Sequence, residues 1–298
     1  MIRTFACLFA LLTIIAPAAT AQAIQARTEY KRGIERVKNG DLDGAIADFS
    51  SAIEINSRPT SRDPNKTNDV VILEPMNAQI YYNRAIAWLG KSDVEHARAD
   101  FARAIAINPR MTQAWIGRGR CHHALGNQDA AIADLSKAIA LDGRSAIAFN
   151  NRGISREAKN DLAGAIEDFT RAIELDPTRA HSYLNRGAAL CAAGDSDRAL
   201  ADLNRSLELD KRNALAYNNR GKAHQLKGDF TRAHADYDEA ISIDPGLAFA
   251  YANRGLLFLL EGNEHASDRD FELALQLKPD IKASLDLLIG EIKAGRFK

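Results

Sequence analysis

Arginine recurs in this chain at a fixed interval, beside residues that could support two kinds of binding chemistry. Six of these arginines follow one another every 34 residues: Arg84, Arg118, Arg152, Arg186, Arg220 and Arg254. Asn comes directly before most of them, and Gly directly after. A row of guanidinium groups could bind anions, whereas a row of side-chain amides could donate to and accept from a peptide backbone. The spacing of the surrounding residues indicates which of these groups could bind a ligand and which stabilise the fold.

The residues after each arginine predict a helix, a tight turn and a second helix. Eight positions later stand Gly40, Ser92, Gly126, Asn160, Gly194, Gly228 and Gly262. Gly or Asn at this position ends a helix in the left-handed conformation. The next residue is always Asp or Asn, which caps the start of a helix. Ala165, Phe169 and Ala172 then form one apolar face at helical spacing, and Pro177 ends that helix. So short a pair of helices can bury its apolar face only against neighbouring pairs.

The 34-residue period, with a large aromatic three residues before most of the arginines, resembles the tetratricopeptide repeat (TPR) family. The resemblance covers residues 26–281 and implies seven repeats within residues 22–281. It predicts an all-α protein, a right-handed solenoid of helix–turn–helix units. Residues 57–77, rich in proline and turn formers, are expected to form a loop between the first two repeats. Residues 282–298 are expected to form a C-terminal capping helix.

The arginines occupy a position where the TPR pattern commonly has Leu, so the resemblance directs them into the packing layer. Each arginine is followed after sixteen residues by an aspartate: Asp48, Asp100, Asp134, Asp168, Asp202, Asp236 and Asp270, counting Arg32 as the first arginine. Because an unpaired buried charge is costly, we predict that each arginine pairs with that aspartate across its own helical hairpin. The alternative is an arginine stripe that binds anionic partners.

The amides beside the arginines are the candidate binding residues. In the TPR family the corresponding face of the first helix lines a concave groove in which partners bind. The candidate peptide-binding residues are Asn83, Asn150, Asn151, Asn185, Asn218, Asn219, Lys222, Gln225 and Asn253. Side-chain amides can hold an extended peptide by its backbone, independently of its sequence. The alternative is that these asparagines hydrogen-bond only between neighbouring repeats.

The composition and the remaining motifs argue against several classes of function. Lys plus Arg and Asp plus Glu both total 39, so there is no basic excess for binding nucleic acid or a membrane surface. No nucleophile–base pair, phosphate-binding loop or metal-ligand spacing is present, and almost no chain remains for a catalytic domain. We therefore predict that the protein is not an enzyme and carries no cofactor or metal. His122 and His224 are interpreted as packing residues, and Cys121 and Cys191 as buried thiols with only a weak case for a disulfide.

The first 21 residues have the features of a secretory signal peptide. A cationic start is followed by a run of apolar residues from Phe5 to Ala16, then by Pro17 and small residues. We predict cleavage after Ala21, with Ala23 as the alternative site and an uncleaved anchor as the alternative reading. The mature chain would then have no integral membrane span and would be periplasmic or secreted, most plausibly in a bacterial envelope.

Three functions fit this sequence. The first is an adaptor that binds extended peptide segments of partner proteins, whose identity the sequence does not reveal. The second is an assembly element that self-associates or docks into a larger envelope complex through its solenoid ends. In the third, the apolar residues Phe249, Leu256 and Leu259 hold a lipid-like molecule.

Overall fold

The computed structural model describes residues 21–58 and 74–295, and within these ranges all regular structure is helical. This agrees with the predicted all-α class. The predicted signal peptide, apart from Ala21, lies outside the described residues, as do residues 59–73 of the predicted loop and the last three residues. The chain divides into two compact units, residues 1–144 and 145–298.

The first unit consists of consecutive helical hairpins. Its helices are α1 (21–38), α2 (Leu42–Ser57), α3 (Glu74–Gly90), α4 (Val94–Ile107), α5 (Thr112–Ala124) and α6 (Gln128–Leu141). Odd-numbered helices are the first helices of their hairpins, and even-numbered helices are the second. The prediction of a loop over residues 57–77 is wrong at its C-terminal end, because α3 already begins at Glu74.

The second unit continues the same alternation. Its helices are α7 (Ala146–Ala158), α8 (Leu162–Leu175), α9 (Ala180–Ala192), α10 (Ser196–Leu209), α11 (Ala214–Leu226), α12 (Phe230–Ile243), α13 (Ala248–Leu260), α14 (Glu264–Leu277) and α15 (Lys282–Lys293). A 3-10 turn, Pro279–Ile281, leads into α15. Within this unit α8 packs on α9, α10 on α11 and α12 on α13, and the expected C-terminal helix is present.

The turn within each hairpin has the backbone geometry that the sequence predicts. The seven turn residues named above all have positive φ, from 62° at Ser92 and Asn160 to 82° at Gly194. The Asp or Asn that follows accepts a hydrogen bond from the backbone N–H three residues later, as Asp161 does from Gly164. Asn127 is the exception, since its side chain makes no such bond. The repeated turn therefore sets the angle at which each second helix folds back on the first.

An arginine–aspartate ion pair joins the two helices of every hairpin. Arg84 donates from Nε and Nη2 to the two carboxylate oxygens of Asp100, at 2.7 and 2.8 Å. The same bonds, all between 2.6 and 2.9 Å, join Arg32 to Asp48, Arg118 to Asp134, Arg152 to Asp168, Arg186 to Asp202, Arg220 to Asp236 and Arg254 to Asp270. The aspartate side chains are at most 9% exposed, whereas the arginines other than Arg32 are 16–23% exposed.

The third guanidinium nitrogen, Nη1, of several arginines donates a hydrogen bond to the preceding hairpin. The sequence did not predict this contact. Nη1 donates to Ser50 from Arg84, to Thr170 from Arg186, to Asn204 from Arg220 and to Asp238 from Arg254, at 2.6–3.1 Å. In five hairpins the guanidinium group lies over the aromatic ring three positions before the arginine, with Arg118 Cζ 4.9 Å from the centroid of the Trp115 ring. One side chain thus connects two helices of its own hairpin and a helix of the previous one.

The small residue after each arginine, Ala85 after Arg84 and glycine after the others, allows the two helices of a hairpin to approach closely. A Cβ atom on Gly221 would lie 2.7 Å from the ring of Tyr237, the largest fully buried side chain. In the described residues, buried Phe, Leu or Tyr side chains, at most 8% exposed, occupy this place along the second helices. The core is therefore a repeated layer between first and second helices.

Loss of one ion pair should be costly because it leaves a buried carboxylate without its cation. We expect Arg186→Ala to destabilise the protein by about 3 kcal/mol, the lower end of the range for broken buried pairs because Arg186 keeps some contact with solvent. Urea unfolding followed by circular dichroism measures this change. The control is Arg198→Ala, which removes an arginine that is 62% exposed and paired with Asp195 on the surface. Its effect should stay within about 0.5 kcal/mol. Equal effects of the two variants would contradict a structural role for Arg186.

Partly buried histidines beside the ion pairs should make stability depend on pH. Burial lowers the pKa of His224, whose Nε2 lies 3.9 Å from Asp236 in a packing position that Leu190 occupies one hairpin earlier. The unfolded chain binds a proton at about pH 6.5 and the folded chain only at lower pH, so stability is complete above about 6.5 and falls as the pH drops through the folded-state pKa.

We expect His224→Leu to lose less stability than the wild type between pH 7 and pH 5. Urea unfolding at both pH values gives the comparison, in which the titration of all other groups cancels. His122→Leu should behave in the same way, because burial also lowers the pKa of His122. An unchanged pH dependence in both variants would exclude this origin.

Candidate functional site

The first helices of the second unit form one continuous polar and apolar face. Helices α7, α9, α11, α13 and α15 contact one another in chain order. We call this surface the first-helix face. It is defined by the residues five and two before, and two and five after, each arginine, together with the Asn that precedes the arginine. Helix α15 occupies the place of a further first helix, so the first-helix face extends from α7 to α13.

Two asparagines of this face bridge neighbouring hairpins. Asn185 Nδ2 donates to Asn150 Oδ1 at 3.1 Å, and Asn253 Nδ2 donates to Asn218 Oδ1 at 2.9 Å. The donor is the residue directly before an arginine, and the acceptor stands one position earlier in the preceding hairpin. These amides therefore contribute to the stacking of repeats.

The other candidate amides have different partners. Asn151 Nδ2 donates to the backbone oxygen of Ile147 within its own helix, at 2.8 Å. Asn219 Oδ1 accepts a long bond of 3.4 Å from Asn218 Nδ2. In the first unit, Asn83 Nδ2 donates to the hydroxyl of Tyr30 at 2.8 Å, a partner that the sequence did not predict.

The gap in the asparagine row at Gly117 has a packing reason. A Cβ atom at this position would lie 2.5 Å from the ring of Phe101 in the preceding second helix. Phe101 is fully buried. The first unit therefore has no space for an asparagine here, and the asparagine row is continuous only in the second unit.

Bridging does not exhaust the hydrogen-bonding capacity of these amides. A side-chain amide has two N–H donors and a carbonyl oxygen with two lone pairs. Asn151, Asn185, Asn219 and Asn253 are only partly buried, whereas Asn218 is 5% exposed. The two readings of the asparagines are therefore compatible: the same side chain can bridge repeats and still present an N–H or an oxygen to a ligand.

A row of exposed apolar residues runs along one edge of the amides. Ile147, Leu215 and Phe249 are 44%, 48% and 46% exposed, and each stands five residues before an arginine. His181, also exposed, fills the same position on α9. The periodicity places these residues on the face, but only the structure shows that their side chains are uncovered. A row of exposed apolar side chains next to amides with unused hydrogen-bonding groups is typical of a surface that binds a polypeptide.

The charged and amide residues at the other edge are Glu157, Lys222 and Gln225. Lys222 is exposed. Gln225 is held in place by Tyr237, whose hydroxyl donates to Oε1 at 2.7 Å. Burial raises the pKa of the Glu157 carboxyl group, and the positive charge of Lys222 opposes that shift. Glu157 did not stand among the predicted binding residues.

The apolar end of the face is already filled by the protein itself. Leu256 is 6% exposed, and it clusters with Leu285 of α15. Leu259 packs against the same cluster, together with further apolar residues of α15. Of the three residues predicted to form a lipid site, only Phe249 is exposed. Because α15 covers the other two, these residues do not form an open pocket for a lipid.

Reactive groups are not assembled in the part of the chain that the structure describes. Cys121 and Cys191 are both free and buried, and burial raises the pKa of each thiol to about 11, which keeps it protonated. The described residues contain no group of three or more His, Cys, Asp or Glu side chains able to hold a metal ion. No helix among them has the length and apolar character needed to cross a bilayer.

Comparison with known families and structures identifies the repeat. Tetratricopeptide repeat models match residues 30–111, 82–146, 146–179, 169–201 and 214–247, and a further TPR repeat model matches 187–228. Together these matches run without interruption from residue 30 to residue 247. No curated protein matches the sequence.

Solved structures share the fold at low sequence identity. A tetratricopeptide repeat protein from Parabacteroides merdae is 18% identical with a TM-score of 0.69, over 89% of this chain and 99% of the other. PilW, a type IV pilus biogenesis factor, is 23% identical with a TM-score of 0.62, over 71% and 98%. YrrB, a TPR protein with an unusual peptide-binding site, is 23% identical with a TM-score of 0.50, over 68% and 95%. The repeat models and the matching architecture together show that the chain belongs to the tetratricopeptide repeat family.

Proposed function

We propose that this protein is a non-enzymatic scaffold that binds an extended segment of a partner protein on the first-helix face of its second unit. The observation that carries this proposal is the pairing of two parallel rows, the partly buried asparagines and the exposed residues Ile147, Leu215 and Phe249. An extended peptide is complementary to these two rows. Its backbone N–H and C=O groups can hydrogen-bond to the asparagines, while every second side chain can pack against the apolar residues.

The expected affinity is modest. Each backbone–amide hydrogen bond contributes about 0.5–1.5 kcal/mol net, and the asparagines of this face offer only a few such bonds. Immobilising the peptide costs several kcal/mol, so a dissociation constant of roughly micromolar size follows. Contacts of this kind do not read the partner's sequence, which suits a scaffold with more than one partner.

The family membership supports the same class of function. TPR proteins generally bind other proteins, and the same fold carries a peptide-binding site in YrrB. The family membership and the similarity to YrrB support the proposal that this chain binds other proteins, but they do not identify a partner. We further propose that the array contains seven repeats, since seven arginine–aspartate pairs recur along it.

We also propose that the protein acts outside the cytoplasm, in a bacterial envelope or in the medium, on the basis of its N-terminal sequence. Expression of the full chain in a bacterial host should yield a periplasmic product that begins at Gln22, as intact-mass measurement and N-terminal sequencing would show. A start at Ile24 would support the alternative cleavage site. Recovery of the uncleaved chain from the membrane fraction would indicate an anchor instead.

The binding proposal is testable with a library of random, unstructured peptides displayed on phage. We expect the wild type to enrich peptides that bind with roughly micromolar dissociation constants. Asn185→Ala/Asn219→Ala should weaken the binding of those peptides about tenfold, because each lost hydrogen bond contributes about 0.5–1.5 kcal/mol. Isothermal titration calorimetry measures the change.

The matched control removes an exposed amide from a second helix. Gln276 on α14 is exposed, and Gln276→Ala should leave peptide affinity unchanged. Thermal unfolding of all variants separates lost binding from lost stacking, since Asn185 also bridges to Asn150. Peptides that bind both variants as tightly as the wild type would remove the asparagines from the binding site.

A further inference from the structure

One hydroxyl group lies in the core between α11 and α12, at a place where the other described hairpins have a wholly apolar side chain. The residues seventeen positions after the arginines are Phe49, Phe101, Leu135, Phe169, Leu203, Tyr237 and Phe271. Tyr237 is fully buried, and its ring packs on the backbone of Gly221. Since Phe fills this place in four other hairpins, packing alone does not explain the hydroxyl group.

The hydroxyl group of Tyr237 reaches from the core to Gln225 on the first-helix face. It donates to Oε1 at 2.7 Å, and it forms no hydrogen bond to any other group of the described residues. A buried hydroxyl hydrogen without an acceptor is energetically unfavourable, so the amide oxygen rather than the amide nitrogen has to face Tyr237. This contact fixes the orientation of the whole Gln225 amide group.

The nitrogen of the same amide remains free to bind a ligand. Gln225 is only partly buried, and its Nε2 has no acceptor among the described residues. Elsewhere in that part of the chain some unpaired polar atoms, such as Ser182 Oγ, are fully buried, but Nε2 of Gln225 is not one of them. With its oxygen held by Tyr237, the amide presents N–H donors to the first-helix face, and these donors require an acceptor.

We propose that Gln225 donates to a main-chain carbonyl oxygen of the partner segment, and that Tyr237 is the positioning residue that orients Gln225 for this bond. The inference rests on the proposed peptide-binding function and assigns one fixed contact within it. An extended polypeptide supplies the acceptor, because its carbonyl groups point outward along each edge at every second residue. An amide that is oriented before the partner arrives loses less conformational entropy on binding.

The first experiment separates the donor from the residue that orients it, with peptides that the full chain enriches from a random displayed library. Gln225→Glu keeps an oxygen for the Tyr237 hydroxyl but replaces the donating nitrogen by an acceptor, so it should weaken peptide binding roughly tenfold. Tyr237→Phe keeps the amide but lets it turn, and should weaken binding about threefold. Isothermal titration calorimetry measures both changes. If every enriched peptide binds Gln225→Glu as tightly as the wild type, the donor role is wrong.

A matched control removes a hydroxyl group from the same hairpin. Tyr217 lies under the guanidinium group of Arg220, 5.2 Å from its Cζ atom, and Tyr217→Phe should leave peptide affinity unchanged. Tyr237→Phe should fold normally, because Phe occupies the same place in other hairpins, and thermal unfolding checks this. Equal losses of affinity in Tyr217→Phe and Tyr237→Phe would show a general packing effect and would overturn the positioning role.

A double-mutant cycle tests whether Tyr237 acts through Gln225. In the Gln225→Ala background the hydroxyl group has no amide to orient, so Tyr237→Phe should have no further effect on peptide affinity. Additive losses in the double variant would show that Tyr237 affects binding by another route. That result would also overturn the positioning role.

Changes in the peptide identify the acceptor. Sulfur accepts weaker hydrogen bonds than oxygen, so a single thioamide at the bound position should weaken binding to the wild type but not to Gln225→Ala. If the alanine replacement of one peptide side chain removes the dependence on Gln225 instead, the acceptor is that side chain and the main-chain assignment is wrong. Peptides weakened by Asn185→Ala/Asn219→Ala but by no Gln225 variant would overturn this inference and leave the proposed function standing. Failure of the wild type to enrich any peptide would overturn both.

Discussion

The fold depends on one repeated interaction, the two-pronged ion pair between an arginine of the first helix and a nearly buried aspartate of the second. A carboxylate as well shielded from solvent as these aspartates is energetically unfavourable without a cation, and the planar guanidinium group matches the carboxylate with two hydrogen bonds. Because Nη1 of Arg186 also donates to Thr170 in the previous hairpin, the same residue couples neighbouring repeats. A stack of short hairpins gains its cooperativity from interfaces of this kind.

The arginines are therefore already occupied. The guanidinium of Arg254, for example, donates to two carboxylates, Asp270 and Asp238. Little capacity is left for an external anion at such a site. The alternative of an anion-binding arginine stripe has no support in this geometry, whereas the less conspicuous amides beside the arginines retain unused donors and acceptors.

The first-helix face presents two kinds of side chain in parallel rows. In the proposed function, the exposed apolar side chains supply contact area and the asparagines supply hydrogen bonds to a peptide backbone. Hydrogen bonds between neighbouring repeats, such as that from Asn185 to Asn150, hold the amides in position before any ligand arrives. Such preorganisation lowers the entropic cost of binding.

The sequence by itself determined the repeat, the turn and the ion pairs, because each depends on contacts at fixed separations along the chain. A period of 34 residues, a positive-φ residue eight positions after the arginine, and an aspartate sixteen positions after it are local rules that hold in hairpin after hairpin. The start of α3 at Glu74 was not predictable in this way, since it lies next to the irregular insertion, where the period gives no register.

Only the tertiary structure decided how the faces are used. Whether an asparagine bridges repeats, as Asn253 does, or bonds within its own helix, as Asn151 does, depends on the side chain of the adjacent hairpin. The same holds for the exposure of Ile147 and for the covering of Leu256 by α15. Periodicity assigns a residue to a face, but burial and hydrogen-bond partners are properties of neighbours brought together only when the hairpins stack.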